Sequence, residues 1–259
     1  MSNHHIITGG ATGIGFAIAK RLTEDGHQVS LLARNSERLS RAVSALNTPL
    51  SAPSAAAFTC DIRDRESIDA AIGAAVEQFG PLRGAIANAG IGGPNTPDAK
   101  GFDQHFEDLI QTNLVGTYYT MRVAQKALVN DQNPRHLLIV SSCLARFGVP
   151  GYTGYCASKA ALLGLTRALA LELAEQNIQV NALCPGWVDT KMAREGIQAF
   201  AEETGQSFEA AKANAMQAVP MGRMSQPSEV AGVVRWLLST DARGITGQGI
   251  DINGGSWMG

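Results

Sequence analysis

Three features are missing from this chain of 259 residues, and each absence closes off a class of protein. No apolar run approaches the roughly 18 residues that cross a bilayer, so the sequence predicts no membrane span. Charge excess is missing too: 21 Lys and Arg against 23 Asp and Glu leave −2. That balance argues against nucleic acid or an anionic membrane as the main partner. Clustered metal ligands are also absent. Cys60, Cys143, Cys156 and Cys184 form no CxxC pair and sit in or beside apolar segments, which reads as buried free thiols in a reducing compartment. The histidines at 4, 5, 27, 105 and 136 have no ligand spacing, so no metal is expected. Met1-Ser2-Asn3-His4-His5 runs straight into an apolar strand with no basic leader or cleavage site. No signal peptide is therefore expected, and the cytoplasm is the expected location. Neither a solenoid repeat nor a low-complexity tract is visible.

What is present is a globular composition, 45% hydrophobic and 17% charged, at a length that suits one large α/β domain over 1–259. Short apolar runs predict strands at His4–Thr8, Gln28–Leu32, Ala56–Thr59, Gly84–Ala87, His136–Val140, Gln179–Leu183 and Gly249–Ile252. Helical patterns begin near Gly13, Ser36, Arg65, Leu109 and Tyr152. Strands apolar on both faces, alternating with helices, imply a parallel sheet covered on both sides. With right-handed crossovers this is a doubly wound, seven-stranded Rossmann sheet. Thr190 to Gln226 breaks the rhythm and predicts one or two short helices before a helix start at Pro227-Ser228-Glu229. Lying after a strand's C-terminal end, it is expected to act as a substrate lid.

The first strand runs into Thr8-Gly9-Gly10-Ala11-Thr12-Gly13-Ile14-Gly15, directly before a helix. Glycines there permit a tight turn, and the helix N-terminus offers free N–H groups to a pyrophosphate. The second strand ends at Ala33, where an acid would read the ribose hydroxyls of NAD, and Arg34 follows. A guanidinium can pair with a 2′-phosphate, so NADP(H) is the preferred cofactor and NAD(H) the alternative. Cys60-Asp61-Ile62 follows the third strand; Asp61 either accepts from an adenine amino group or caps the next helix. Asn88-Ala89-Gly90 ends the fourth strand, where small residues let the backbone pass close to a ribose, and where Asn88 could equally bridge strands.

The fifth strand ends in Ser141-Ser142, followed by Tyr155 and, one helical turn on, Lys159. An adjacent ammonium is expected to lower the tyrosine pKa and make Tyr155 a general acid and base. The Ser142 hydroxyl would bond the reacting carbonyl or alcohol oxygen.

With these motifs, together with Asn113, Pro185-Gly186 and the closing Gly247-Gln248…Asn253-Gly254-Gly255, the chain resembles the classical short-chain dehydrogenase/reductase family over essentially its whole length. The resemblance implies a catalytic tetrad of Asn113, Ser142, Tyr155 and Lys159. Lys159 would hold the nicotinamide ribose hydroxyls, and Asn113 would hold a water relaying protons to it. Pro185, Gly186 and Val188 would face the nicotinamide, with Thr190 near its carboxamide. The family also implies a homotetramer (or dimer) packed through the helices carrying Asn113 and Tyr155 and the C-terminal strand. Ala87, where the family often has Asn, and Asn253, where it often has Asp, are small departures.

Pocket walls are expected from Leu144, Phe147, Val149, Tyr152 and Trp187, with Arg146, Lys191 and Arg194 as contacts for an anionic tail. Ser207 through Arg223 is similar to the lid of polyketide and 3-oxoacyl-thioester ketoreductases. The expected activity is ketone and secondary alcohol interconversion on a small-molecule substrate, a 3-oxoacyl thioester or a cyclic ketone. The alternatives are an NAD-dependent catabolic alcohol dehydrogenase and a nucleotide-binding module without catalysis.

Overall fold

In the computed structural model, which describes residues 3–48, 52–96 and 101–259, every apolar run of the sequence reading is a strand. The strands are β1 (His4–Thr8), β2 (Gln28–Ala33), β3 (Ala55–Thr59), β4 (Gly84–Ala87), β5 (Arg135–Val140), β6 (Ile178–Pro185) and β7 (Gly249–Ile252). They form one sheet in the order β3-β2-β1-β4-β5-β6-β7, with every pairing parallel. Successive strand residues point to opposite faces. Ile6, Leu137 and Ile139 join the core on one face, while Ile7, Leu138 and Val140 join the core on the other. The sheet is buried on both sides, as parallel sheets require.

Helices α1 (Gly13–Glu24), α2 (Ser36–Asn47) and α3 (Arg65–Phe79) start where the sequence places them. The next helix does not. The expected start near Leu109 is the end of α4 (Phe102–Leu109), which continues through a π-helical segment, Ile110–Val115, into α5 (Gly116–Lys126). Phe102, Phe106 and Leu109 fall at helical spacing, but the π-helical segment after them breaks the period that the reading from Leu109 followed. Helix α6, which carries Tyr155 and Lys159, spans Thr153–Leu173. The excursion after β6 holds two helices, α7 (Lys191–Thr204) and α8 (Phe208–Gln217). They bury Ile197, Ala201, Ala211 and Met224 in a small core of their own. Helix α9 (Pro227–Leu237) has Pro in its first turn, and the Glu229 carboxylate accepts from Gln226 N at 2.6 Å. Among the described residues no helix is long and apolar enough to cross a membrane, and no group of three His, Cys, Asp or Glu is placed to hold a metal.

Candidate active site

The C-terminal ends of the parallel strands share one edge of the sheet, which brings the separate motifs together. At the β1 end, Thr8 Oγ1 accepts from the N–H groups of Asn88 and Ala89, each at 3.1 Å. Asn88 Nδ2 donates to the carbonyls of Thr8 (3.0 Å) and Gly9 (3.2 Å), so this side chain bridges β1 and β4. The glycines follow from that bridge. A carbon added to Gly15 would lie 2.5 Å from Gly9 O and 2.6 Å from Asn88 Nδ2. Gly13, at φ +54, faces Thr190, whose Cγ2 would lie 3.3 Å from a carbon added there. Thr12 stands at the N-cap of α1 but makes no side-chain bond to it. Asn35, Asp64, Thr190 and Ser207 do cap α2, α3, α7 and α8. The open first turn of α1, with half-buried Ile14 seated against the core, fits the pyrophosphate of a dinucleotide.

Arg34 is exposed just beyond β2, with no hydrogen bond or ion pair among the described residues. Asp61 is not the cap of α3, because Asp64 fills that place by accepting from Glu66 N. Instead Asp61 Oδ1 accepts from Arg63 N at 3.0 Å. The Ile62 side chain is buried against Gly116, which leaves only its backbone for a ligand. Gly90 keeps the chain thin beside the chemistry: an added carbon there would lie 3.0 Å from Asn113 Oδ1 and 3.6 Å from Lys159 Nζ.

Ser142, at the end of β5, accepts from Leu144 N at 3.1 Å, which leaves its hydroxyl hydrogen free to donate. Ser141 Oγ donates to Lys159 O and ties β5 to α6. Lys159 Nζ is buried, donates to Val140 O at 2.9 Å and lies 5.7 Å from the centre of the Tyr155 ring. Here the sequence expectation needs correcting. Burial pushes the Tyr155 phenol up to about 12, and the Ser142 hydroxyl offsets only part of the rise. Burial likewise brings Lys159 down to about 8. Desolvation opposes charge on both groups and is the largest cause of each shift. Asn113 sits fully buried in the π-helical segment. Its Oδ1 accepts from Ile91 N (2.9 Å), and its Nδ2 donates to Ile91 O (3.0 Å) and Ser158 Oγ (3.1 Å).

Gly186 follows β6, pressed so closely on Asn253 that an added carbon would stand 2.9 Å from its Cα. Val188 is buried, and Thr190 caps α7. A cleft of about 640 Å³ opens between the glycine turn and α7, lined by Gly13, Asp189, Thr190, Lys191, Arg194 and Phe208 among others. Of the expected walls, Leu144, Phe147 and Tyr152 are half-buried and Val149 is exposed. Tyr152 faces Glu203, and burial first and that carboxylate second raise its pKa. Trp187 is packed with the small core of α7 and α8. Nor is Arg146 free for an anionic tail. It holds Gly249 O at 2.7 Å and Asp251 at 3.1 Å, under Trp257 at 4.9 Å. Lys191 and Arg194 line the cleft but pair with Glu195 (3.4 Å) and Asp189 (2.8 Å). Gly92 and Met192, which carry no periodic signal in the sequence, border the site: a carbon on Gly92 would lie 3.7 Å from Tyr155 Cε2 and 3.5 Å from Met192 Sδ.

A family model described as enoyl-(acyl carrier protein) reductase matches residues 9–256. The 3-oxoacyl-[acyl-carrier-protein] reductase MabA of Mycobacterium tuberculosis is 34% identical over 265 residues, covering 100% of this chain and 94% of that protein. The 3-oxoacyl-[acyl-carrier-protein] reductase FabG of Staphylococcus aureus is 31% identical over 258 residues, covering 100% and 99%. Among solved structures, a variant of the actinorhodin polyketide ketoreductase with NADPH superposes with a TM-score of 0.90 at 34% identity, covering 98% of this chain and 97% of that one. Levodione reductase superposes with a TM-score of 0.91 at 29% identity, covering 98% and 96%.

Proposed function

The chain belongs to the short-chain dehydrogenase/reductase family and is an oxidoreductase of ketones and alcohols, and from that premise we propose that it reduces a 3-oxoacyl thioester with NADPH, Tyr155 supplying the proton. The observation that carries this reading is the convergence of Ser142, Tyr155 and Lys159 at the strand ends, beside a glycine turn with an open helix N-terminus. When bound, the nicotinamide supplies the hydride. Gly9, Gly13, Ile14 and Gly15 would hold its pyrophosphate, and Arg34 would meet the 2′-phosphate. Asn88, Ala89 and Gly90 shape the ribose side. Pro185, Gly186, Val188 and Thr190 would line the nicotinamide side.

The Ser142 hydroxyl donates to the carbonyl oxygen and orients it. A phenol held up at about 12 keeps its proton at neutral pH, the state that a reducing enzyme needs. Tyr155 passes that proton to the oxygen as negative charge develops there. The Lys159 ammonium offsets the charge left on the phenolate. Asn113, pinned by Ile91 and Ser158, holds the turn beside Lys159 through which water returns the proton. The helices α7 and α8 close over the substrate as a lid. The names of the 3-oxoacyl reductases support the thioester over a cyclic ketone.

Tyr155→Phe is expected to abolish turnover and leave NADPH affinity nearly unchanged. Nicotinamide fluorescence titration and a panel of 3-oxoacyl thioesters and cyclic ketones check both halves. Wild-type turnover in Tyr155→Phe would sink the proton assignment. A wild-type enzyme active on cyclic ketones alone would replace the thioester.

A further inference from the structure

Helix α6 carries both Tyr155 and Lys159, yet nothing next to its start caps it: Tyr152, at the N-cap, makes no side-chain bond. The first-turn N–H of Gly154 is satisfied from 59 residues upstream, where Asn95 Oδ1 accepts it at 3.0 Å. The same amide donates through Nδ2 to Thr153 Oγ1 at 2.8 Å, and Asn95 N donates to Gly151 O at 2.7 Å. Asn95 is 6% exposed, so these bonds form with little competition from water. Gly154 is closed in from the other side, since an added carbon there would lie 2.9 Å from the Phe106 ring.

The loop that bears Asn95 is tied at its other end by Asn113, which takes both polar groups of Ile91 and reaches Ser158. Ser158 Oγ in turn donates to Tyr155 O at 2.8 Å. Residues 91–95 are thus stitched to α6 on both sides of Tyr155. Between the two stitches, Gly92 runs past the Tyr155 ring.

We propose that Asn95 is a positioning residue for the carbonyl reduction: a helix cap supplied from a distant loop of the same chain that fixes the first turn of α6, and with it Tyr155, while holding the Gly92-Gly93 stretch beside the Tyr155 ring. The proposal rests on Tyr155 being the proton donor. Its geometric logic is that a reacting group displaced by about 1 Å can lose on the order of 100-fold in rate.

The test compares wild type, Asn95→Ala, Asn95→Asp and Tyr155→Phe, using whichever carbonyl compound of the panel the wild type reduces fastest. Four quantities are read: kcat, KM for the ketone, Kd for NADPH and the melting profile. Asn95→Ala is expected to melt cooperatively and bind NADPH like the wild type, with kcat lowered roughly 10- to 100-fold. Asn95→Asp keeps the acceptor for Gly154 N–H and is expected to recover most of that loss. A folded, NADPH-binding Asn95→Ala with wild-type kcat overturns the proposal. So does an equal kcat loss in the Asp variant, or a loss matched by weaker NADPH binding, since either marks general damage to the fold. Should Asn95→Ala fail to fold, Asn95→Ser, too short to reach Gly154, is set against Asn95→Asp, and equal kcat in the two overturns it. Tyr155→Phe separates the two readings: activity there removes the proton donor itself, whereas an inactive Tyr155→Phe beside a fully active Asn95→Ala removes only the role of Asn95.

Discussion

Arg34 shows how far a single side chain can be read. It is exposed beyond β2, with no partner among the described residues, while Arg83, Arg146, Arg194 and Arg223 all hold carboxylates. A guanidinium left open at the adenosine end suits a 2′-phosphate. Arg34→Ala is expected to weaken NADPH binding by about 1.5–3 kcal/mol, roughly 10- to 100-fold, and to leave NADH unaffected. Fluorescence titration with both cofactors measures the ratio, and equal losses for the two would point Arg34 away from the phosphate. Arg146 marks the limit of such reading. From the sequence it was as available to an anion as Arg194, but its partners Gly249 and Asp251 lie over 100 residues away. Tyr155 and Lys159 were legible as a pair from their spacing. The direction of the Tyr155 shift was not, because desolvation depends on what the fold packs around the phenol.

Whole elements were the most readable level. Five of the six helix starts the sequence offered, those at Gly13, Ser36, Arg65, Tyr152 and Pro227, match observed helices to within one residue or so, and the Thr190–Gln226 excursion holds two helices where one or two were expected. The exception is instructive. The six-residue π-helical segment at Ile110–Val115 shifts the face presented by α4 relative to α5, so no single 3.6-residue period spans Phe102 to Lys126. That same segment carries Asn113, so the local irregularity is where the site is built. The glycine turn is the opposite case, a motif whose reason is tertiary but whose signal is local. Gly15→Ala would drive a carbon into Gly9 O and Asn88 Nδ2. It is expected to cost about 1–3 kcal/mol of stability and to abolish dinucleotide binding. Thermal melts with and without NADPH check both effects, and an unshifted ligand-induced stabilisation would contradict the crowding.

At the scale of the molecule, the edge of the sheet opposite the site gathers four histidines that the sequence leaves scattered. His5, Gly84 and His136 stand side by side across β1, β4 and β5, and the missing side chain of Gly84 makes room for His5 Nδ1. His27 meets His5 edge-on, and His4 bonds Ser30 Oγ and Gly80 O. Burial, with Arg83 adding to it, holds His136 down to about 4, and burial with its charged neighbours holds His5 well below its usual value. The unfolded chain takes up these protons near 6.5 and the folded chain refuses them, so the unfolded state binds more protons through that interval. Stability is therefore whole above pH 6.5 and falls as pH drops toward 4. Melting temperatures across that range should decline, and His136→Leu should flatten the decline; a flat wild-type profile would contradict the buried cluster. Periodicity, glycine spacing and the Tyr155/Lys159 turn are properties of neighbours along the chain, so the sequence by itself determined the parallel sheet, the glycine turn after β1 and the placing of Tyr155 and Lys159 one helical turn apart. Asn95 capping a helix 59 residues away, Arg146 committed to β7 and the histidine row across three strands are properties of neighbours in space. Only the tertiary structure decided them, because which strand ends meet, and what water they exclude, is settled when the sheet closes.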